Sequence, residues 1–105
     1  MNLTYPTTLV LQALASGFSH GFDVIDATRL ASGTVYPILR RLENERLVSA
    51  RWENTAIAHA EQRPQRRYYE LTAAGQKILA TALQRYREPK AIAALARKLR
   101  PARSS

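Results

Sequence analysis

The chain of 105 residues contains no cysteine. That excludes disulfides, Cys-ligated zinc, iron–sulfur clusters and thiol nucleophiles, and it fits a cytoplasmic location. Long apolar runs are missing too: nothing approaches the roughly 18 consecutive residues of a membrane span. The opening stretch MNLTYPTTLVLQALASG lacks the positive region of a signal peptide and reads as an amphipathic helix. Histidine is scarce, with only His20 and His59. His20 and Asp23 stand three apart on a helix, but without cysteine or a nearby second histidine they do not make a metal site. A Gly-rich phosphate loop, a paired-carboxylate pocket and a Ser–His–Asp order are absent, which argues against an enzyme and against a cofactor. Acidic residues are the last scarcity: eight against sixteen Lys and Arg, for a net charge of +8.

What remains is ordinary in bulk and uneven in charge. The apolar share of 46% and charged share of 23% suit one globular domain. Residues 1–62 carry five Arg and six acids, a net of −1, whereas residues 63–105 carry eleven Lys or Arg against Glu70 and Glu88, a net of +9. Thirteen of the sixteen basic residues are Arg, the side chain suited to bidentate phosphate and base-edge contacts. A polyanionic partner is one reading of this field, and a solubilising surface is the other.

The apolar pattern predicts a first helix starting at Pro6 with Thr7 or Thr8, striped by Val10, Leu11 and Leu14 and ended by Gly17. Ser19 is the expected cap of a short second helix carrying Phe18, Phe22 and Ile25, ending near Thr28 or Arg29. A third helix begins at Ser32, with Val35, Ile38, Leu39 and Leu42 on one clean face and Ser32, Thr34, Tyr36, Arg40 and obliquely Arg41 on the other. Pro37 inside it is tolerable only in the first turn or with a local bend. The period then drops to two: Val48, Ala50 and Trp52 share one face of a strand, and Arg67, Tyr69 and Leu71 share a face of a second. Residues 53–65 between them read as an extended, mobile loop. Thr72 caps a longer helix bearing Ile78, Leu79, Ala82, Leu83 and Tyr86; Pro89 breaks it, and Ile92, Leu95, Ala96 and Leu99 stripe a last segment. The expectation is a mainly α fold with a small β-ribbon. It comprises a winged helix-turn-helix domain over residues 1–71, C-terminal dimerisation helices over 72–100 and a frayed tail over 101–105.

Three strings carry a resemblance. GTVYPILRRLENERLV at residues 33–48 followed by Trp52, SHGFDVID at 19–26, and RPQRRYYELTAAGQKIL at 63–79 resemble the signature of PadR-like transcriptional regulators. Together they span about residues 8–83. The resemblance implies a homodimeric winged-helix repressor whose C-terminal helix packs across its partner, and some members of that family release DNA on binding small aromatic molecules or drugs. Arg46 departs from the pattern, since the family usually has Gly at the turn into the wing. The short chain after the fourth helix resembles the small branch of the family.

Each candidate site residue has two readings. Thr34 and Tyr36, with Ser32 at the helix start, either reach phosphates and base edges or serve as a cap and as packing on the second helix. Arg40 points the same way and either reads guanine or pairs with Glu43 or Asn44. Arg41 sits nearer the edge and suits backbone contact or none. Arg63, Arg66 and Arg67 crowd Pro64 at the base of the wing and either hold a groove or backbone or form a solvated face. His59 reads as inert. On the resemblance, His20 starts the second helix near a phosphate. Trp52 and Tyr69 are expected in the core, paired across the ribbon.

The C-terminal stripe needs a partner surface, because a helix of about ten residues is marginal alone. We therefore expect a homodimer built from Leu3 and Leu9 of one chain against Leu83, Tyr86, Ile92, Leu95 and Leu99 of the other. A small-molecule effector, if used, would lie at that junction. Two other readings compete with duplex DNA: a basic interaction or membrane-surface protein using residues 85–100, and an RNA-binding winged helix. The alanine-rich face and Pro89 speak against membrane insertion. The A-form major groove is too narrow for the third helix.

Overall fold

A computed structural model describes residues 3–86. The break at Pro89, the stripe of Ile92, Leu95 and Leu99 and the tail at 101–105 lie outside the described residues. The order is α1 (Tyr5–Ala15), α2 (Gly21–Thr28), α3 (Ser32–Asn44), β1 (Val48–Trp52), α4 (Thr55–Ala60), β2 (Arg67–Leu71) and α5 (Ala73–Arg85). This is the mainly helical architecture with a two-stranded ribbon expected from the periodicities.

α1 is the central rod. It begins earlier than the sequence suggested, because Thr4 rather than Thr7 or Thr8 is the cap: the Thr4 hydroxyl accepts from the Thr7 N–H at 3.3 Å. Thr7 and Thr8 are buried instead, and the Thr8 hydroxyl donates back to the Thr4 carbonyl at 3.0 Å. α1 touches α2, α3, α5 and β2, which explains why it is apolar on nearly every side. Val10, Leu11, Val24, Val35, Leu39 and Leu42 are fully buried around it.

Helix ends are set by left-handed residues. α1, α3 and α4 each close with two backbone bonds into the last turn around a residue at positive φ: Gly17 (φ 98), Arg46 (φ 60) and Gln62 (φ 55). Thus the Phe18 N–H reaches the Ala13 carbonyl at 3.1 Å and the Leu47 N–H reaches the Leu42 carbonyl at 2.9 Å. Arg46 occupies the position that favours glycine and adopts the glycine conformation all the same. α2 ends at Arg29 (φ 62), and the buried Thr28 hydroxyl donates to the Val24 carbonyl at 2.7 Å while accepting from the Leu30 N–H. That bracket fixes the three-residue turn into α3.

The ribbon is antiparallel, with Val48 opposite Leu71, Ala50 opposite Tyr69 and Trp52 opposite Arg67. The expected Trp52–Tyr69 pair does not form, because the register sets them two positions apart along the ribbon. Nor does Trp52 join the core: it is 59% exposed, whereas Tyr69 packs against the core as expected. On its other side β2 is held by the Tyr69 N–H donating to the Ser19 carbonyl at 2.7 Å. Residues 53–65 are not an extended loop. Asn54 caps α4 by accepting from the Ala56 N–H at 2.7 Å, and Ala58 anchors the turn in a buried position. α5 then lies across the start of the ribbon, so close that a Cβ on Gly75 would collide with the Leu47 backbone carbonyl.

Candidate nucleic-acid interface

α3 carries the division that a groove-reading helix needs. Val35, Ile38, Leu39 and Leu42 are buried, while Ser32, Tyr36, Arg40 and Arg41 are exposed and Thr34 is half-buried. The expected capping contact does not form. Ala31 is the cap residue and makes no side-chain bond, so the Thr34 hydroxyl does not cap the helix. Pro37 sits mid-helix, but on the exposed side, and Gly33, the residue four back whose carbonyl a proline crowds, is exposed too. Arg40 has no ion pair among the described residues, because Glu43, its suggested partner, binds Arg67 instead at 2.8 Å.

Tyr36 packs on α2, the second of its two readings, and still keeps part of its surface open. Its ring lies against the start of α2, so close that a Cβ on Gly21 would stand 2.5 Å from its Cε1 and hydroxyl oxygen, yet the residue is 37% exposed. Gly21 is therefore a residue that sequence reasoning missed, one whose lack of a side chain parks a phenol at the head of the exposed face of α3. His20, just before it, is the cap residue of α2 but gives no capping bond. Its Nε2 stands 3.1 Å from the Asp23 carboxylate, its ring meets Tyr68 edge-on at 5.8 Å, and its Nδ1 is buried without a partner among the described residues. Burial pushes the imidazole below its ordinary value, and Arg66 and Arg63 push the same way against Asp23.

The three wing arginines divide sharply. Arg63 is committed: its two terminal nitrogens bind the two oxygens of Glu53 at 2.5 and 2.8 Å. Glu53 is buried and also accepts from the Arg66 N–H at 3.2 Å and the Tyr68 hydroxyl at 3.2 Å. These bonds, that of Arg63 first, hold the Glu53 carboxyl at about 2. Arg67 bridges Glu43 of α3 and the ring of Trp52, whose centroid is 5.0 Å from its guanidinium carbon. Arg66 alone has no acidic partner among the described residues. Glu53 escaped sequence reasoning, and Glu43 was considered only as a partner of Arg40; an acid at the end of β1 facing an Arg-rich return strand was the visible signal for the first.

Between α2, α3 and the wing lies a cleft of about 330 Å³ bordered by His20, Phe22, Tyr36, Trp52, Arg66 and Tyr69. Phe22, expected on the apolar stripe of α2, is 72% exposed at its rim, because the helix starts at Gly21 and turns this residue outward. The residues assigned to a dimer surface fall differently. Leu3 and Leu9 are 6% and 0% exposed in the single chain, so neither side chain is open to a partner. Tyr86 packs edge-on against Tyr5 at 5.2 Å and donates to the Leu3 carbonyl at 3.2 Å, while Leu83 leans on the core.

A buried helix face, a short bracketed turn and a braced ribbon carry the sequence pattern of one family, the Transcriptional regulator PadR-like family, whose profile matches residues 10–81. The chain belongs to the PadR-like family. Solved PadR-like proteins share its fold. One from Bacteroides fragilis is 27% identical over 80% of this chain and 82% of its own, with a TM-score of 0.65. A second, a PadR family regulator from Clostridium difficile R20291, is 26% identical over 85% and 94%, with a TM-score of 0.69. The fold also extends to BpsR of Bordetella bronchiseptica, a protein whose DNA binding is regulated by 6-hydroxynicotinic acid (22% identity, 86% of this chain and 62% of that one, TM-score 0.60). Among curated proteins none matches. As a PadR-like regulator the protein is a non-enzymatic DNA-binding protein. Among the described residues no helix is long and apolar enough to cross a membrane, and no cluster of metal-ligating side chains occurs.

Proposed function

We propose that this PadR-like protein is a repressor that acts in the cytoplasm as a homodimer on a palindromic operator in duplex DNA. α3 enters the major groove, with Arg40 reading a base edge and Tyr36, Thr34 and Ser32 gripping at its start. The observation that carries this reading is Arg40: exposed, one turn beyond Tyr36, and without an ionic partner among the described residues. Arg41 and His20 stand beside that contact, at the backbone. A second copy supplies the matching half-site, since two-fold pairing is what turns one short recognition helix into a specific reader. The dimer contact draws on Leu83, Tyr86 and the apolar stripe of Ile92, Leu95 and Leu99. A small aromatic effector at that contact releases the DNA; in the same fold, the DNA binding of BpsR is regulated by 6-hydroxynicotinic acid.

Selection of bound duplexes from a random pool supplies the operator for the test. Arg40→Ala is expected to cost about 1–3 kcal/mol on that operator and to relax one base position. Unchanged affinity and unchanged preference would remove α3 from the groove. Light scattering at micromolar concentration should give twice the chain mass of 11.8 kDa.

A further inference from the structure

Apart from the Arg67 guanidinium over Trp52, packing does not account for the aromatic rim of the cleft. Phe22 and Trp52 are the two most exposed large apolar side chains among the described residues, and both stand at the same opening. Exposed aromatic surface of this kind marks an interaction site more often than chance. Charge narrows the partner. No acidic residue borders the cleft, and Arg66 is the one bordering arginine whose guanidinium is unspent. Arg63 and Arg67 line it too, but each is already neutralised by its own glutamate.

A free inorganic anion would use Arg66 and leave the rings wet. A neutral apolar molecule would use the rings and leave Arg66 unpaired. A nucleic-acid backbone uses both, because each phosphodiester is flanked by sugars with apolar faces. The position agrees: the cleft separates the recognition helix from the wing, where a strand must pass if both touch one duplex.

We infer that this cleft seats one strand of the duplex, with Arg66 as the cation for a single phosphodiester and Phe22 and Trp52 as walls against its deoxyribose. Arg67 is then a positioning residue. Its ion pair to Glu43 and its stack on Trp52 brace the wing against α3 and hold one wall of the seat upright. Arg63 acts one step further back, through Glu53. The inference rests on the DNA-binding reading of α3 and goes beyond it by assigning the wing's basic residues unequal roles.

The test uses the full chain and a labelled mixed-sequence 30-base-pair duplex, with anisotropy read across a salt series. Each phosphate contact contributes about 0.9 to the slope of log affinity on log salt. Arg66→Gln is expected to lower the slope by about 0.9 and to weaken binding roughly fivefold to tenfold at moderate salt, with Arg66→Lys restoring the slope. The paired change Arg67→Gln with Glu43→Gln keeps the net charge and should leave the slope at its parent value. Phe22→Ala should weaken binding at every salt concentration without altering the slope. Trp52 is the sole tryptophan, so its emission reports the cleft directly and should shift as the duplex saturates.

An unchanged slope in Arg66→Gln, or equal slope losses in Arg66→Gln and in the Arg67/Glu43 pair, would overturn the assignment. So would Trp52 emission that ignores a duplex shown by anisotropy to be bound. If inorganic phosphate or a single-ring carboxylate moves the emission while the duplex does not, the cleft is a small-anion site and the proposal falls. Absence of any duplex binding at low salt, by contrast, would sink the DNA reading itself.

Discussion

Gly21→Ala is a test of how α2 controls the recognition face. Two terms act on stability in opposite directions. Gly to Ala at a helical position stabilises by about 0.4–1 kcal/mol through the unfolded chain. Against it, the new Cβ would stand 2.5 Å from Tyr36 Cε1 and the hydroxyl oxygen and 2.7 Å from Cζ, where carbon contacts prefer about 3.5–4.0 Å. The obstacle is the end of a part-exposed side chain rather than backbone, so the ring can swing out at about 0.5–1.5 kcal/mol of rotamer cost. The sum leaves stability within about 1 kcal/mol of the parent. DNA binding has no such compensation. On the proposed contact of Tyr36 with DNA, moving the hydroxyl removes one hydrogen bond worth a net of about 0.5–1.5 kcal/mol, a roughly twofold to twelvefold loss of affinity. The assay is a four-member cycle with Tyr36→Ala, each protein melted and titrated with one duplex. In the Tyr36→Ala background the alanine at position 21 no longer meets its three nearest obstacles, all atoms of the Tyr36 ring, so its effect on affinity should vanish and its effect on stability should turn favourable. An equal affinity loss in both backgrounds would refute the coupling. So would a stability loss above about 2 kcal/mol in both, which would place the strain in the backbone instead.

Two further outcomes follow from the same geometry. Glu53 is held at about 2 against an ordinary 4.5, so its ionised form favours the fold fully above pH 4.5 and that stabilisation is lost as pH falls through 2. Glu53→Gln should melt earlier at neutral pH and show a flatter decline in acid, and an unchanged acid profile in thermal melts would contradict the role given to this carboxylate. Arg46→Gly relieves a left-handed residue (φ 60) at the end of α3 and should stabilise by about 0.5–1 kcal/mol, raising the melting temperature by several degrees; a lower melting point would show that the arginine side chain contributes more than its backbone costs.

Where one physical cue dominated, the sequence was readable. The spacing of Val35, Ile38, Leu39 and Leu42 placed α3 and its buried face because four aliphatic residues on one stripe admit one solution. Thr72 marked the start of α5, and its hydroxyl does accept from the Gly75 N–H at 3.1 Å. The failures share a cause. Phe22 was set on the apolar stripe of α2 and Trp52 in the core because hydrophobicity says what a residue tolerates, not which way the element turns it; the docking of α2 and the register of the ribbon decide exposure. α4 was read as loop because a six-residue helix has almost no periodicity to detect, and its cap bond and its single buried alanine are tertiary facts. The wing arginines looked equivalent as a run. Only the fold brings Glu53 and Glu43, ten and twenty-four residues away, to two of the three.

The neck of the wing has one more consequence. The chain enters and leaves the α4 segment through a single knot: the Glu53 N–H donates to the Arg66 carbonyl at 2.7 Å, the Glu53 carboxylate takes the Arg66 N–H and the Arg63 guanidinium, and the Gln65 side chain donates to the Glu53 carbonyl at 2.6 Å. Everything between is tied off, as a purse is by its string. Change in that pouch, whether lengthening, trimming or the grafting of a foreign peptide, is expected to stop at the string and leave the strand register and α3 in place. The size of the wing is thereby a quantity that descent or an engineer can adjust alone, while α3 and its exposed face stay as they were.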